Sequence, residues 1–165
     1  MSPRSTFSGW IEPIKNLKVD VQGLLAEYQQ VVQEHMSPVT SQNSTLVQRK
    51  FHLILMDEAS KEVSLSDVPL VEAIRAEVDK LIEFNSITYR SILPNTCYNW
   101  HVDTGKNCVH VPLITSEGCW FVYENRCFRM PANGAVYLVN NERPHSFMNA
   151  GQKERLHLTF EKLSV

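Results

Sequence analysis

Nowhere in this chain do eighteen apolar residues run together, which excludes a spanning helix, and no block of lysines or arginines stands out. With a formal charge of only -2 at neutral pH, the sequence carries no electrostatic footprint for a nucleic acid or an anionic membrane. Residues Met1 to Trp10 lack the charged-then-apolar layout of a secretory signal, so a soluble, cytoplasmic protein is expected. Its four cysteines, Cys97, Cys108, Cys119 and Cys127, form no Cys-x-x-Cys pair, and a thiolate zinc site has little support. Without a secretory signal, free thiols are expected rather than disulfides. No repeat or low-complexity segment is visible.

What the chain does have is ordinary globular material: 165 residues, 43% apolar and 21% charged, which suits one compact domain with a buried core. Val21, Leu24, Leu25, Tyr28, Val31 and Val32 recur at three- and four-residue steps after an N-cap candidate at Asp20, predicting an amphipathic helix to about His35. A polar loop, Ser37 to Ser44, precedes an aliphatic run from Phe51 to Asp57 that reads as a strand. A second helix is predicted from Ser66 or Asp67 to about Asn85. Pro69 falls in its first turn, and Leu70, Ile74, Val78, Leu81 and Ile82 form its buried face.

Beyond that helix the pattern changes to short β segments: Ile87 to Leu93, Thr96 to Asp103, Cys108 to Ile114, Trp120 to Glu124, Cys127 to Met130, Ala135 to Asn140, Ser146 to Asn149 and Glu154 to Glu161. Pro94-Asn95, Thr104-Gly105, Ala132-Asn133-Gly134 and similar turn residues separate them. This spacing predicts a mainly β, α+β domain: a double-stranded β-helix, or cupin-like jelly roll, with N-terminal helices over one sheet. Residues 1–10 are expected as a flexible tail, 11–86 as a mostly helical covering part and 87–163 as the jelly-roll core.

The chemistry is concentrated in that core. His101 and Asp103 lie two apart in a predicted strand, where alternate side chains leave the same face and can meet one ion. Six histidines and five aspartates would produce such a pair by chance in roughly one sequence in five, so the pair alone decides little. His145 strengthens it, because Pro144 fixes the backbone just before the imidazole. Two imidazoles and one carboxylate on one side of an ion leave three positions open, which suits iron(II) oxygen chemistry. Ten residues on, Arg155 and His157 alternate with Leu156 and Leu158. If the leucines face the core layer, the guanidinium points into the barrel mouth and needs an anionic partner. Trp100, Trp120, Phe121 and Tyr123 are expected in core packing, and Asn149 as a residue that ties a loop through backbone hydrogen bonds.

From Tyr89 to Lys162 the sequence resembles the aspartyl/asparaginyl β-hydroxylase family, which includes proline hydroxylases, among the Fe(II)/2-oxoglutarate-dependent oxygenases. The matching pieces come in order: Ile92-Leu93-Pro94, His101-x-Asp103, His110-Val111-Pro112-Leu113, Gly134-Ala135-Val136-Tyr137, Asn141 with Pro144-His145, Asn149, and Arg155-Leu156-His157-Leu158. The resemblance implies that His101, Asp103 and His145 bind Fe(II), that Arg155 grips the distal carboxylate of 2-oxoglutarate, and that His110 sits near the cofactor's chelating end. It also implies hydroxylation of an amino acid or of a peptide or protein side chain, of Asp/Asn or Pro type, with O2 as co-substrate and succinate and CO2 as co-products. One departure stands out: where the family often has an arginine two residues before the position of His110, this chain has Cys108. Arg90, on the neighbouring predicted strand, is the candidate to compensate. From the residues alone, a non-catalytic cupin-like module holding a metal or a small carboxylate stays open, as does a metal enzyme that does not use 2-oxoglutarate.

Overall fold

Alternation along two strands sets the architecture. In β10 (Arg155–Glu161) Leu156, Leu158 and Phe160 alternate with Arg155, His157, Thr159 and Glu161, and all seven are buried. Successive side chains leave opposite faces of a strand, so β10 must be covered on both sides, by apolar groups on one and polar groups on the other. Its antiparallel neighbour β3 (Ser86–Ile92) repeats the pattern, with Ile87 and Tyr89 on one face and Ser86, Thr88 and Arg90 on the other. In the register of the pair, Arg90 lies opposite His157.

The structure is a computed structural model and describes residues 9–34, 48–55, 63–103 and 107–163. Around the β3–β10 pair stand β1 (Ile11–Lys18), β2 (Gln48–Leu55), β5 (Asn107–Ile114) and β8 (Ala135–Asn140), in a six-stranded antiparallel sheet of order β1-β8-β5-β10-β3-β2. A second sheet has the order β4-β9-β6-β7, from β4 (Thr96–Cys97), β6 (Cys119–Tyr123), β7 (Arg126–Phe128) and β9 (His145–Asn149). This is the expected jelly roll.

The helices cover the apolar face of the large sheet. Helix α1 (Val21–Glu27), continued by a π-helical turn over Tyr28–Gln33, and α2 (Pro69–Val78) bury Leu24, Tyr28, Val32, Val71, Ile74 and Val78 against Ile87, Tyr89, Val109, Val111, Leu156, Leu158 and Phe160. Asp20 caps α1 as expected, accepting from Gly23 N at 3.0 Å. No side chain beside α2 caps it; instead Glu27 of α1 accepts from Leu70 N at 2.8 Å and Val71 N at 3.4 Å, placing a carboxylate at the positive end of that helix. A smaller cluster of Ile92, Phe121, Tyr123, Met130, Val139 and Phe147 fills part of the space between the sheets. The rest of that space is polar.

Several expectations need correction. The span 11–86, expected as mostly helical, contributes β1 to the large sheet as well as β2, which overlaps the strand expected from Phe51 to Asp57. The pattern of β1 hides it: Asn16 has φ 63° and the register against β8 shifts between Pro13 and Lys18, so Ile11, Ile14 and Leu17 fall at steps of three rather than two. Gly9 and Trp10, counted with the tail, are tied down, their carbonyls accepting from Asn140 Nδ2 and N at 3.0 Å each. Helix α2 ends at Val78 instead of Asn85, so its periodicity does not carry on: Leu81 is 40% exposed while Ile82 is buried. His35, the whole of Ser37 to Ser44 and the Met56–Asp57 end of the expected strand fall outside the described residues. All four cysteines are free, as expected. No helix among the described residues is long and apolar enough to cross a membrane.

Asn149 is buried and joins three segments. Its Nδ2 donates to Ile92 O at 3.1 Å and to Lys153 O at 2.8 Å, and its Oδ1 accepts from Gly151 N at 3.0 Å. Replacing Asn149 by alanine orphans these groups and is expected to cost about 2–4 kcal/mol, measured by urea unfolding.

Candidate active site

The two histidines of the candidate triad meet through the backbone. His101 N donates to His145 O and His145 N to His101 O, each at 3.0 Å, in a single antiparallel bridge. The strand expected from Thr96 to Asp103 is in fact only Thr96–Cys97, followed by that one bridge. Trp100 and Val102, which alternation would have placed beside a sheet, are exposed at 55% and 47%, so nothing covers a longer strand there. Trp100 therefore leaves the core-packing group. Asp103 is brought in by a separate contact, its N–H donating to Asn141 O at 2.9 Å.

Asp103 Oδ2 lies 3.8 Å from Nε2 of His101 and 3.8 Å from Nε2 of His145, and one ligand atom from each residue falls within 4.8 Å of the others. Each imidazole has its Nδ1 2.8 Å from a carbonyl, Asn99 O for His101 and Arg143 O for His145. A carbonyl only accepts, so Nδ1 carries the proton in both rings and each Nε2 offers its lone pair to a cation. His145 is nearly fully buried and stacked on Phe121 with centroids 5.1 Å apart and planes at 14°. Burial lowers its pKa despite the opposing bond to the Arg143 carbonyl, and so favours the neutral ring.

The triad opens onto a pocket whose other walls are the polar face of the large sheet: Arg155, His157, Thr159 and Glu161 of β10, Arg90 of β3, and Cys108 and His110 of β5. Arg155 is 5% exposed and takes part in no ion pair among the described residues. One of its NH2 hydrogens goes to His157 Nδ1 at 2.9 Å, and its guanidinium carbon lies 5.8 Å from the centre of the Phe147 ring. Burial first, with Arg90 adding repulsion, brings its pKa down to about 10. A guanidinium so buried is stabilised by an anionic partner. Arg90, by contrast, is paired with Glu161.

A guanidinium only donates, so His157 Nδ1 accepts and the proton of that ring sits on Nε2, which has no partner among the described residues. His110 Nδ1, 3.1 Å from the same His157 nitrogen, must then be the protonated nitrogen of its own ring. Both imidazoles are held neutral, their pKa values well below 6.5, by burial first and by the facing Arg155 second. In the unfolded chain they protonate near the ordinary value, so below about pH 6.5 the unfolded state binds more protons than the fold. Their contribution is therefore complete above that pH and is lost as the pH falls. Two such groups give a slope of up to about 2.7 kcal/mol per pH unit. Thermal unfolding between about pH 6.5 and 5 is expected to show this fall, with roughly half the slope in His157→Gln.

The residues singled out from sequence thus lie around one pocket: His101, Asp103, His145, Arg155, His110 and Arg90 all line it. Phe121, expected only as core, is also the platform under His145. Glu161 was missed as a pocket residue, although it shares the parity of Arg155 along β10, which was the available signal. Asn141 was noted only as a motif residue. Its carbonyl holds Asp103 and its own Oδ1 is buried without a partner among the described residues.

The sequence profile described as aspartyl/asparaginyl β-hydroxylase matches residues 18–163. The chain belongs to that family. It is accordingly an enzyme of the hydroxylase type found among the 2-oxoglutarate-dependent oxygenases. A search of curated protein sequences returns no match. Among solved structures, a Trichoplax adhaerens prolyl hydroxylase in complex with a hypoxia inducible factor peptide fragment aligns with TM-score 0.63 and 13% identity, over 93% of this chain and 83% of that one. An oxidoreductase of the 2OG-Fe(II) oxygenase family from Burkholderia pseudomallei gives 0.58 and 18%, over 84% and 78%. A Pseudomonas putida prolyl-4-hydroxylase gives 0.55 and 14%, over 95% of each chain. At such identities these likenesses speak for the fold of this hydroxylase family member, and its site stands on its own geometry.

Proposed function

We propose that the chain acts as a single-domain Fe(II)/2-oxoglutarate-dependent hydroxylase of an amino-acid side chain in a peptide or protein, or of a free amino acid. The observation that carries the reading is the convergence, in one pocket, of an uncompensated buried guanidinium with three ligands that fit one cation. His101, Asp103 and His145 are the residues to hold Fe(II), a donor set of two neutral nitrogens and one carboxylate that leaves positions open for other ligands. Arg155 is the residue to hold the distal carboxylate of 2-oxoglutarate. His157 fixes the plane of the guanidinium and His110 backs His157, so the fork is oriented before the anion arrives. When bound, the iron and 2-oxoglutarate supply oxidation of an unactivated C–H bond by O2, with succinate and CO2 as co-products. Phe121 and Phe147 supply the apolar part of the pocket wall. Trp100 and Val102, exposed beside His101, offer a surface on which a polypeptide substrate can rest.

Protein purified without oxygen and loaded with Fe(II) is expected to develop a visible absorption band on adding 2-oxoglutarate and to form succinate on admitting O2. A peptide panel should accelerate the second step. If iron-loaded protein gives neither band nor succinate, this reading fails in favour of a binding module.

A further inference from the structure

The pocket contains a second guanidinium, and this one already has its counter-charge. Arg90 projects from β3 into the pocket and pairs with Glu161 at the far end of β10, six residues from Arg155, or roughly 20 Å of extended strand. Both side chains are largely withdrawn from solvent, 18% and 9% exposed. Arg90 Nε is buried with no hydrogen-bond partner among the described residues. Beside the pair stands Cys108, a neutral thiol that burial, and Glu161 after it, hold protonated.

We propose that Arg90 and Glu161 form the substrate-discriminating wall of this pocket, selecting an uncharged hydrogen-bonding group, a side-chain carboxamide, over a carboxylate. The inference rests on the reading of the triad and Arg155 as the metal and 2-oxoglutarate site. Under that reading the charges close without a substrate: the metal's two positive charges offset the two carboxylates of 2-oxoglutarate, Asp103 offsets Arg155, and Glu161 offsets Arg90. A substrate carboxylate would bring one uncompensated negative charge into a desolvated site and would meet Glu161 at the guanidinium it seeks. A carboxamide brings none, and its oxygen can accept from Arg90 Nε–H, a donor now unsatisfied. An arginine at the position of Cys108 would reverse this balance; a protonated thiol leaves it in place.

The test uses the protein loaded with Zn(II) and 2-oxoglutarate, which cannot turn over, and reads binding by calorimetry. Uptake of 2-oxoglutarate is measured first. N-acetyl-asparagine amide and N-acetyl-aspartate amide, which differ only in the terminal group, are then compared. The asparagine probe is expected to bind roughly tenfold or more tightly. In Glu161→Gln, where the Arg90 charge lies open, the order is expected to reverse. Equal affinity, a preference for aspartate in the unaltered protein, or binding of neither probe while 2-oxoglutarate still binds would overturn the inference and leave the site reading standing. Failure to take up 2-oxoglutarate would remove the site reading, and the inference with it. If Glu161→Gln does not fold, the comparison in the unaltered protein decides alone.

Discussion

Replacing His145 by alanine is expected to abolish metal binding and reduce succinate formation by at least roughly a thousandfold, since even residues that only orient a ligand are worth ten- to a hundredfold. The ring is locked from three sides: its backbone is paired to His101, its Nδ1 is bonded to the Arg143 carbonyl, and its face lies on Phe121. The same burial means that truncation opens a hole beside Phe121 and costs about 2–4 kcal/mol of stability. His101→Ala provides the control. His101 is half-buried, so it should lose metal as completely while losing far less stability. Metal titration by calorimetry together with urea unfolding separates the two effects. A His145→Ala protein that binds Fe(II) or Zn(II) as the unaltered protein does would show that the triad is not the ligand set.

Arg155→Met is expected to weaken 2-oxoglutarate binding by roughly a hundredfold to a thousandfold while leaving metal binding in place, because it removes the charged partner of a buried carboxylate. The ligand-free variant should be no less stable than the parent. Its buried cation, with no ion pair among the described residues, costs desolvation that a methionine of similar reach does not incur. Adding 2-oxoglutarate to the metal-loaded parent at about a hundred times its Kd should raise stability by about 2.7 kcal/mol, and the variant should show no such rise. An undiminished rise in Arg155→Met would detach this residue from the anion.

What the sequence made legible follows the physics of each element. The jelly roll could be read because eight short runs between turn residues lie in the second half, and Ala135–Asn140 was placed to the residue. The convergence of His101 and His145, forty-four positions apart, could not come from periodicity, since it is made by one backbone bridge rather than by a strand; it followed from ligand chemistry and family resemblance. Asp20 was legible as a cap because capping is local. The cap of α2 was not, because Glu27 reaches it from another helix. Strand β1 stayed hidden because Asn16 breaks the two-residue period. The pairing of Arg90 with Glu161 joins two neighbouring strands, and nothing in either segment alone announces it.

The two-sidedness of β10 also bears on how this protein can change over generations. Gaining or losing one amino acid just after Lys153 would turn the strand over, sending Leu156, Leu158 and Phe160 into the polar pocket and Arg155, His157 and Glu161 beneath the helices. Such an indel would be a folding lesion and a loss of chemistry in one event, so length variation should be purged there while point substitutions on either side are sampled separately.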